Sequence, residues 1–238
     1  MSEPRPHHAP PCDACPHTIA GRCHLGHLAR VRCVTLAAET VLCHQGDRTE
    51  RVGVLQTGYV RLVRFSAEGR RVGLGVARPG DLIGAMPGRT VAYTLEAATR
   101  VTLCVTDPAT LERGMDANAA LRRQMLTSTA EQLSRVREQI WLRGRLSSRE
   151  RVIAFLVHAA QDMAATPQPD GSLIVDVPLP RRDWADISDT ALETVSRTVS
   201  ALAEQGEVQS LGGGRYRIAD LDRLARLARL SGDADAAA

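Results

Sequence analysis

The stretch CDACPHTIAGRC carries Cys12, Cys15 and Cys23 in a C-x2-C-x7-C spacing, while Cys33, Cys43 and Cys104 stand singly along the rest of the chain. Thiolates are soft ligands, and a C-x2-C pair lets one tight turn supply two of them. Three thiolates leave one ligand position to be filled, whether the site holds tetrahedral zinc or a four-iron cubane. His17, His24 or His27 would complete a zinc site. The spacing by itself leaves three chemistries open: zinc, an iron–sulfur cluster, and a plain thiol or disulfide switch.

A second constellation lies near the other end, in LPRRDWADISDTALETVSRTVSALAEQG. It has the layout of a helix-turn-helix: a helix from about Arg182 to Ser188, a turn near Asp189-Thr190, and a second helix from about Ala191 to Gln205. Leu192, Val195, Val199 and Leu202 recur at spacings of three and four and form the expected packed face. Glu193, Ser196, Arg197 and Ser200 form the polar face, which suits a helix lying in the DNA major groove. Arg197 can bond bidentately to guanine O6 and N7, and Glu193 can accept from cytosine N4. The two are also i and i+4 neighbours, so they can instead pair with each other. Thr194, Ser196, Arg182 and Arg215 complete the candidate DNA-contacting set. EVQSLGGGRYRI reads as a hairpin whose arginines, Arg215 and Arg217, would meet the phosphate backbone as a wing.

Other elements must hold these two constellations in place. From residue 34 to 107 short apolar segments alternate with turn signals at Gly46-Asp47, Gly58, Glu68-Gly69, Pro79-Gly80 and Pro87-Gly88. Turns every ten residues or so predict a compact all-β sandwich or roll. Asp107-Pro108 places a capping residue before a proline suited to the first helical turn. One long helix is expected from there to about Leu142. Within it Leu126, Leu133 and Ile140 recur every seven residues, with Thr129 and Val136 interleaved, which makes an a/d seam for a second copy of the chain. The alternative is a helix that packs only on its own domain. Ser147-Ser148-Arg149-Glu150 has the form of a capping box ahead of an apolar helix. ATPQPDGS reads as a turn cluster and SLIVDVPLP as a strand.

The chain of 238 residues has a net charge of +3 and is 44% hydrophobic and 24% charged. Those values suit a globular protein. No stretch approaches the ~18 apolar residues of a membrane span, and MSEPRPHHAPP lacks the apolar core of a secretory signal. The expected location is the cytoplasm, where thiols stay reduced and clustered cysteines tend to bind metal. No nucleophile–base pair, phosphate loop or carboxylate pair stands out, so no enzyme is expected.

Asp183, Ala185 and Glu193-Thr194-Val195-Ser196-Arg197 resemble the motif D-x-A-x7-E-T-[VI]-S-R of the CRP/FNR superfamily of bacterial transcription regulators. Gly46-Asp47, Gly58 and Val60, then Pro79-Gly80-Asp81-Leu82-Ile83-Gly84, resemble the superfamily's β-roll, and the order of elements agrees over residues 34–230. The resemblance implies an α+β fold: an N-terminal β-roll of the cyclic-nucleotide-binding type, a long dimerisation helix and a C-terminal winged helix-turn-helix. The expected divisions are 1–33 for the cysteine-rich segment, 34–107 for the roll, 108–146 for the helix and 147–238 for the DNA-binding domain. One departure is Asp189, where relatives have glycine at the turn; Asp adopts the left-handed conformation more readily than most residues.

Within the superfamily, the cyclic-AMP branch grips phosphate with an Arg-Ser pair. Here those positions are Val91-Ala92, with Arg89-Thr90 two residues before them. The FNR branch instead has N-terminal cysteines plus one late in the roll, which together hold a 4Fe–4S cluster. By that likeness Cys12, Cys15, Cys23 and Cys104 are the ligands, zinc being the alternative, and Cys33 and Cys43 have no place in the pattern. The implied protein is a homodimeric, oxygen- or nitric-oxide-responsive regulator that works with RNA polymerase and binds a palindrome like TTGAT-N4-ATCAA. A small-molecule effector in the roll is the other possibility. Val136 is apolar at a seam position, so the cluster-free chain is expected to dimerise more readily than relatives with an acid there.

Overall fold

The computed structural model describes residues 25, 28, 31–48, 50–84 and 89–230. Two compact units divide the chain, one up to Val136 and the other from Arg137.

Among the described residues, the first unit has eight strands: β1 (Arg32–Leu36), β2 (Val41–Cys43), β3 (Val52–Thr57), β4 (Val60–Phe65), β5 (Arg71–Ala77), β6 (Leu82–Gly84), β7 (Thr94–Ala97) and β8 (Val101–Thr106). They form two four-stranded antiparallel sheets, ordered β1-β8-β3-β6 and β2-β7-β4-β5. Side chains alternate along each strand, so one face of each sheet can turn inward. Leu55, Val60, Leu95, Ala97, Val101 and Leu103 make the shared core, with Leu36, Leu42 and Leu62 packed around it. This is the β-roll expected from the turn spacing.

The first sheet has a second apolar surface on its other face. Val52, Val54 and Cys104 pack there with Leu25, Leu111, Leu121 and Met125. Leu111 belongs to α1 (Pro108–Ala117), and Leu121 and Met125 to α2 (Ala119–Arg145). The single helix expected over this region is therefore two. Asn118 takes an extended conformation, φ −130° and ψ 103°, and closes α1. Its side-chain oxygen accepts from the amides of Ala120 and Leu121, so the same residue caps the start of α2. Asn serves this role because its short amide reaches backbone donors that a new helix leaves unpaired. At the front, Asp107 caps α1 by accepting from Thr110 N at 2.8 Å, with Pro108 in the first turn, as the sequence predicted.

The second unit contains the end of α2, then α3 (Ser148–Asp162), β9 (Ala165–Pro167), β10 (Leu173–Asp176), α4 (Arg181–Ile187), α5 (Leu192–Glu204), β11 (Val208–Gly212), β12 (Arg215–Ile218) and α6 (Leu221–Leu227). The strands form one sheet ordered β11-β12-β10-β9. Part of the presumed turn cluster ATPQPDGS is thus strand: Ala165–Pro167 pairs with Leu173–Val175, and the turn proper is confined to the residues between. Pro167 is tolerable there because β9 is an edge strand.

The capping box at Ser147 is formed. Ser147 N donates to Glu150 Oε2 at 2.8 Å, and Glu150 N donates to Ser147 Oγ at 3.3 Å. The Ser147 hydroxyl and amide, with Arg229 nearby, hold the Glu150 carboxyl below its ordinary value of 4.5. A depressed carboxylate stabilises the fold above the unfolded-state value and ceases to do so as pH falls through the folded one. Ser147→Ala should cost about 0.5–2 kcal/mol in urea denaturation at neutral pH. The difference from the parent protein should shrink as pH is lowered below 4.5.

Candidate DNA-reading helix and sensor cysteine

The helix-turn-helix is assembled in the second unit around Trp184 of α4, which is wholly buried. Its indole N–H donates to the Leu179 carbonyl at 3.0 Å, and its ring packs against Phe155 and Tyr216 with centroids 4.8 and 5.1 Å away. One side chain thereby joins α3, α4 and β12, with its polar atom satisfied as burial requires. The turn into α5 has Asp189 at φ +48°, the left-handed conformation that glycine would otherwise supply. Arg151 of α3 holds this turn from below: Nε donates to the Ser188 carbonyl and Nη2 to the Asp189 carbonyl, both at 2.7 Å. Arg143 lies 3.8 Å from the Asp189 carboxylate. Sequence reasoning missed Arg151, because nothing local to position 151 indicates two carbonyls nearly forty residues away.

On α5 the packed stripe is Val195, Thr198, Val199 and Leu202. Leu192 had been expected in that stripe, but it is 51% exposed. As the first residue of α5 it stands at the helix end, and Thr198 occupies the fourth buried place instead. Glu193 and Arg197 are exposed and paired with each other at 3.2 Å. An exposed pair of this kind is worth about 0–1 kcal/mol, so exchanging it for other partners costs little. Thr194 and Ser196 are half-buried on the flanks of the same face. Arg182 projects from α4 with its side chain half-exposed.

The wing is a β11–β12 hairpin. Gly212, Gly213 and Gly214 all have positive φ, and a Cβ on Gly214 would lie 2.7 Å from the Val177 carbonyl. Arg215 is exposed beside the turn of the hairpin, where it pairs with Gly212. Arg217, also expected to face DNA, is instead engaged within the unit: it pairs with Asp170 and donates to Ser172 Oγ at 2.8 Å. Hydrogen bonds from Ser172, and then Arg217, hold the Asp170 carboxyl below its ordinary value.

In the first unit Cys104 is 4% exposed on β8, inside the cluster on the outer face of its sheet. Leu25, 1% exposed, is in that cluster too. Leu28 packs against Gly114 of α1 so closely that a Cβ there would come within 2.0 Å of Leu28 Cδ2. Cys12, Cys15, Cys23, His17, His24 and His27 lie outside the described residues. Among the described residues no three His, Cys, Asp or Glu side chains converge as a metal site. The fit to a cluster can therefore be judged at Cys104: it is a soft donor, shielded from water, on the face where the chain following Cys23 is anchored. That setting suits an iron–sulfur ligand. Cys43 does not share it. It is half-buried in β2, burial pushes its thiol up, and Val41 on the same strand is 41% exposed.

The Pro79-Gly80-Asp81 turn is tied to α2. Asp81 accepts from Arg78 N at 3.0 Å and is ion-paired with Arg135, and Ser128 Oγ donates to the Gly80 carbonyl at 3.1 Å. Val91, at a phosphate-gripping position of the cyclic-AMP branch, is 3% exposed and offers no side-chain donor. On the solvent side of α2, Leu126, Leu133, Val136 and Ile140 are 47–64% exposed, with Trp141 beside them. Thr129 is exposed as well, its hydroxyl donating to the Met125 carbonyl at 2.8 Å.

Residues 33–118 match the model of the cyclic nucleotide-binding domain, and residues 150–227 match that of the Crp-like helix-turn-helix domain. The chain is 32% identical to the transcriptional activator protein FnrL of Cereibacter sphaeroides over 90% of either chain. The chain belongs to the CRP/FNR family of transcription regulators. It is also 32% identical to the nitrogen fixation regulation protein FixK of Bradyrhizobium diazoefficiens, over 79% of this chain and 78% of that one. Among solved structures, FixK2 from Bradyrhizobium japonicum superposes with a TM-score of 0.74 at 25% identity, covering 84% of this chain and 98% of that one. As a CRP/FNR family member of the FNR/FixK type, the protein is a DNA-binding regulator and not an enzyme.

The strain at Asp189 is open to direct test. Asp189→Ala should lower stability by about 1 kcal/mol, since alanine pays the left-handed penalty without a compensating side chain. Asp189→Gly, measured in the same urea titration, should remain within about 0.5 kcal/mol of the parent.

Proposed function

We propose that this CRP/FNR regulator activates transcription in response to oxygen or nitric oxide through a 4Fe–4S cluster held by Cys12, Cys15, Cys23 and Cys104. The observation that carries this reading is the shared cluster of Cys104 and Leu25, because Leu25 follows Cys23 by only two residues. When bound, the cluster supplies an oxygen-labile centre. Leu25 and Leu28 pack against α1, and Leu25 touches the core that includes Leu121 and Met125 of α2. Burying one leucine is worth about 1.5–3 kcal/mol, enough to make this anchor matter to the helix beneath it. A change in the grip of the N-terminal cysteines thus has a packed route to α2, a two-state element of the kind such switches need.

The output follows from the opposite side of α2. Its exposed Leu126, Leu133, Val136 and Ile140, with Thr129 between them, would meet a second copy as a homodimer. Two copies place two α5 helices on a palindrome, and Glu193, Ser196 and Arg197 resemble the faces that read TTGA half-sites, so the proposed operator is TTGAT-N4-ATCAA-like. RNA polymerase is the proposed second partner, and the cytoplasm the place where the chain meets its DNA. Among the described residues no helix is long and apolar enough to cross a membrane.

Anaerobic purification tests the sensor. A brown protein with iron and sulfide that bleaches in air is the expected result, and a colourless one with stoichiometric zinc overturns it. Size-exclusion chromatography of the cluster-free protein should show some dimer at micromolar concentration. A wholly monomeric profile would refute the part assigned to apolar Val136. On DNA, Arg197→Ala should cost about 1–3 kcal/mol and relax discrimination at the guanine, while Arg215→Ala should weaken all sequences alike. Uniform weakening by Arg197→Ala would make Arg197 a phosphate contact only.

A further inference from the structure

We propose that Cys33 and Cys104 are a redox-modifiable dithiol, closing into a cross-strand disulfide by exchange with a low-molecular-weight disulfide such as oxidised glutathione. The pattern of metal ligands leaves Cys33 without a role, yet the fold gives it a particular neighbour. Strands β1 and β8 are antiparallel, and Cys33 stands directly opposite Cys104 in their register. Directly opposed residues project from the same face, with Cβ atoms about 4.5–5.5 Å apart. A disulfide needs Cβ atoms roughly 3.5–4.5 Å apart, a gap that a small change of pleat closes.

The next pair on the same face shows how near these side chains come. Thr35 is opposite Thr102, one pleat along from the cysteines, and their hydroxyl oxygens lie 3.4 Å apart. Antiparallel pairs alternate between a wider and a closer type, so positions two residues apart are of the same type. The cysteine pair is therefore of the same type as the threonine pair. Cys43 provides the contrast: it stands opposite Leu95, and burial pushes its thiol up.

The two thiols differ in access, which sets the order of events. Cys33 is half-buried on β1, an edge strand of its sheet, whereas Cys104 is 4% exposed on β8, between β1 and β3. Cys33 attacks the oxidant's disulfide as the thiolate, forming a mixed disulfide and releasing one reduced thiol. Cys104 then attacks the Cys33 sulfur and releases the second. The protein gives up two protons and two electrons, and both leave with the two molecules of reduced thiol. The consequence rests on Cys104 being a cluster ligand: a Cys104 held in a disulfide cannot ligate iron, so the exchange blocks assembly until a dithiol reductant reverses it.

The test uses the full-length cluster-free protein treated anaerobically with oxidised glutathione and mapped as unreduced peptides. The expected product is a Cys33–Cys104 linked peptide pair, lighter by two hydrogens than the free peptides. Cys104→Ser should instead stop at a glutathione adduct on Cys33, and Cys33→Ser should leave Cys104 unmodified. Oxidised Cys104 found joined to Cys12, Cys15 or Cys23, or a wild-type protein that stops at the adduct, overturns the proposal. Iron and sulfide are then offered to both redox forms, with visible absorbance as the readout. Loading of the reduced form alone supports the blocking role, and equal loading of both forms overturns it. A linked peptide with no loading of even the reduced protein leaves the disulfide standing and removes the cluster reading instead.

Discussion

The outer face of the sheet that carries Cys104 is apolar, and it has to be covered. Val52, Val54 and Cys104 would otherwise meet water on a sheet whose other face is already committed to the core of the roll. Leu111 of α1, Leu121 and Met125 of α2, and Leu25 from the chain just after Cys23 supply the cover. This one requirement makes neighbours of the candidate sensor cysteine, the anchor of the cysteine-rich segment and the start of the seam helix. They share one buried cluster, and a close-packed core transmits strain between its parts.

The same requirement commits one side of α2 and leaves the other open. Toward the roll it commits Leu121, Met125 and Ser128, and it fixes Arg135 to Asp81. Its other side carries Leu126, Leu133, Val136 and Ile140 in the open. A helix that served only its own domain would place polar residues there. The break at Asn118 is part of this arrangement, since it separates α1 from a helix that has its own cap.

In the DNA-binding unit the equivalent constraint is the position of α5. Its reading face has small or exposed, weakly committed side chains, so precision must come from beneath. Trp184 pegs α4 to α3 and β12, and Arg151 bonds the two carbonyls of the turn that launches α5. Neither residue faces outward to DNA with α5. Both determine where Glu193 and Arg197 stand, and the loose pairing of those two leaves them able to change partners.

Much of this was legible in short stretches of the chain. Turn spacing predicted the roll, the Ser147 box and the Asp107-Pro108 start predicted helix ends, and heptad spacing picked out apolar residues that stand exposed on α2, because each signal is written within a few consecutive residues. It was legible, too, that Asp189 could stand where relatives have glycine. Errors fell where two local signals competed or where a helix reached its end. Asn118 broke a helix that periodicity carried through, Ala165–Pro167 became an edge strand inside a turn-rich run, and Leu192 emerged exposed at the first turn of α5. Pairing across long stretches of chain came only with the assembled fold: Arg151 with the turn, Leu25 with Cys104, and Cys33 opposite Cys104. Such pairings depend on strand register and on which face needs covering, quantities fixed by the whole sheet and by no window of sequence short enough to read.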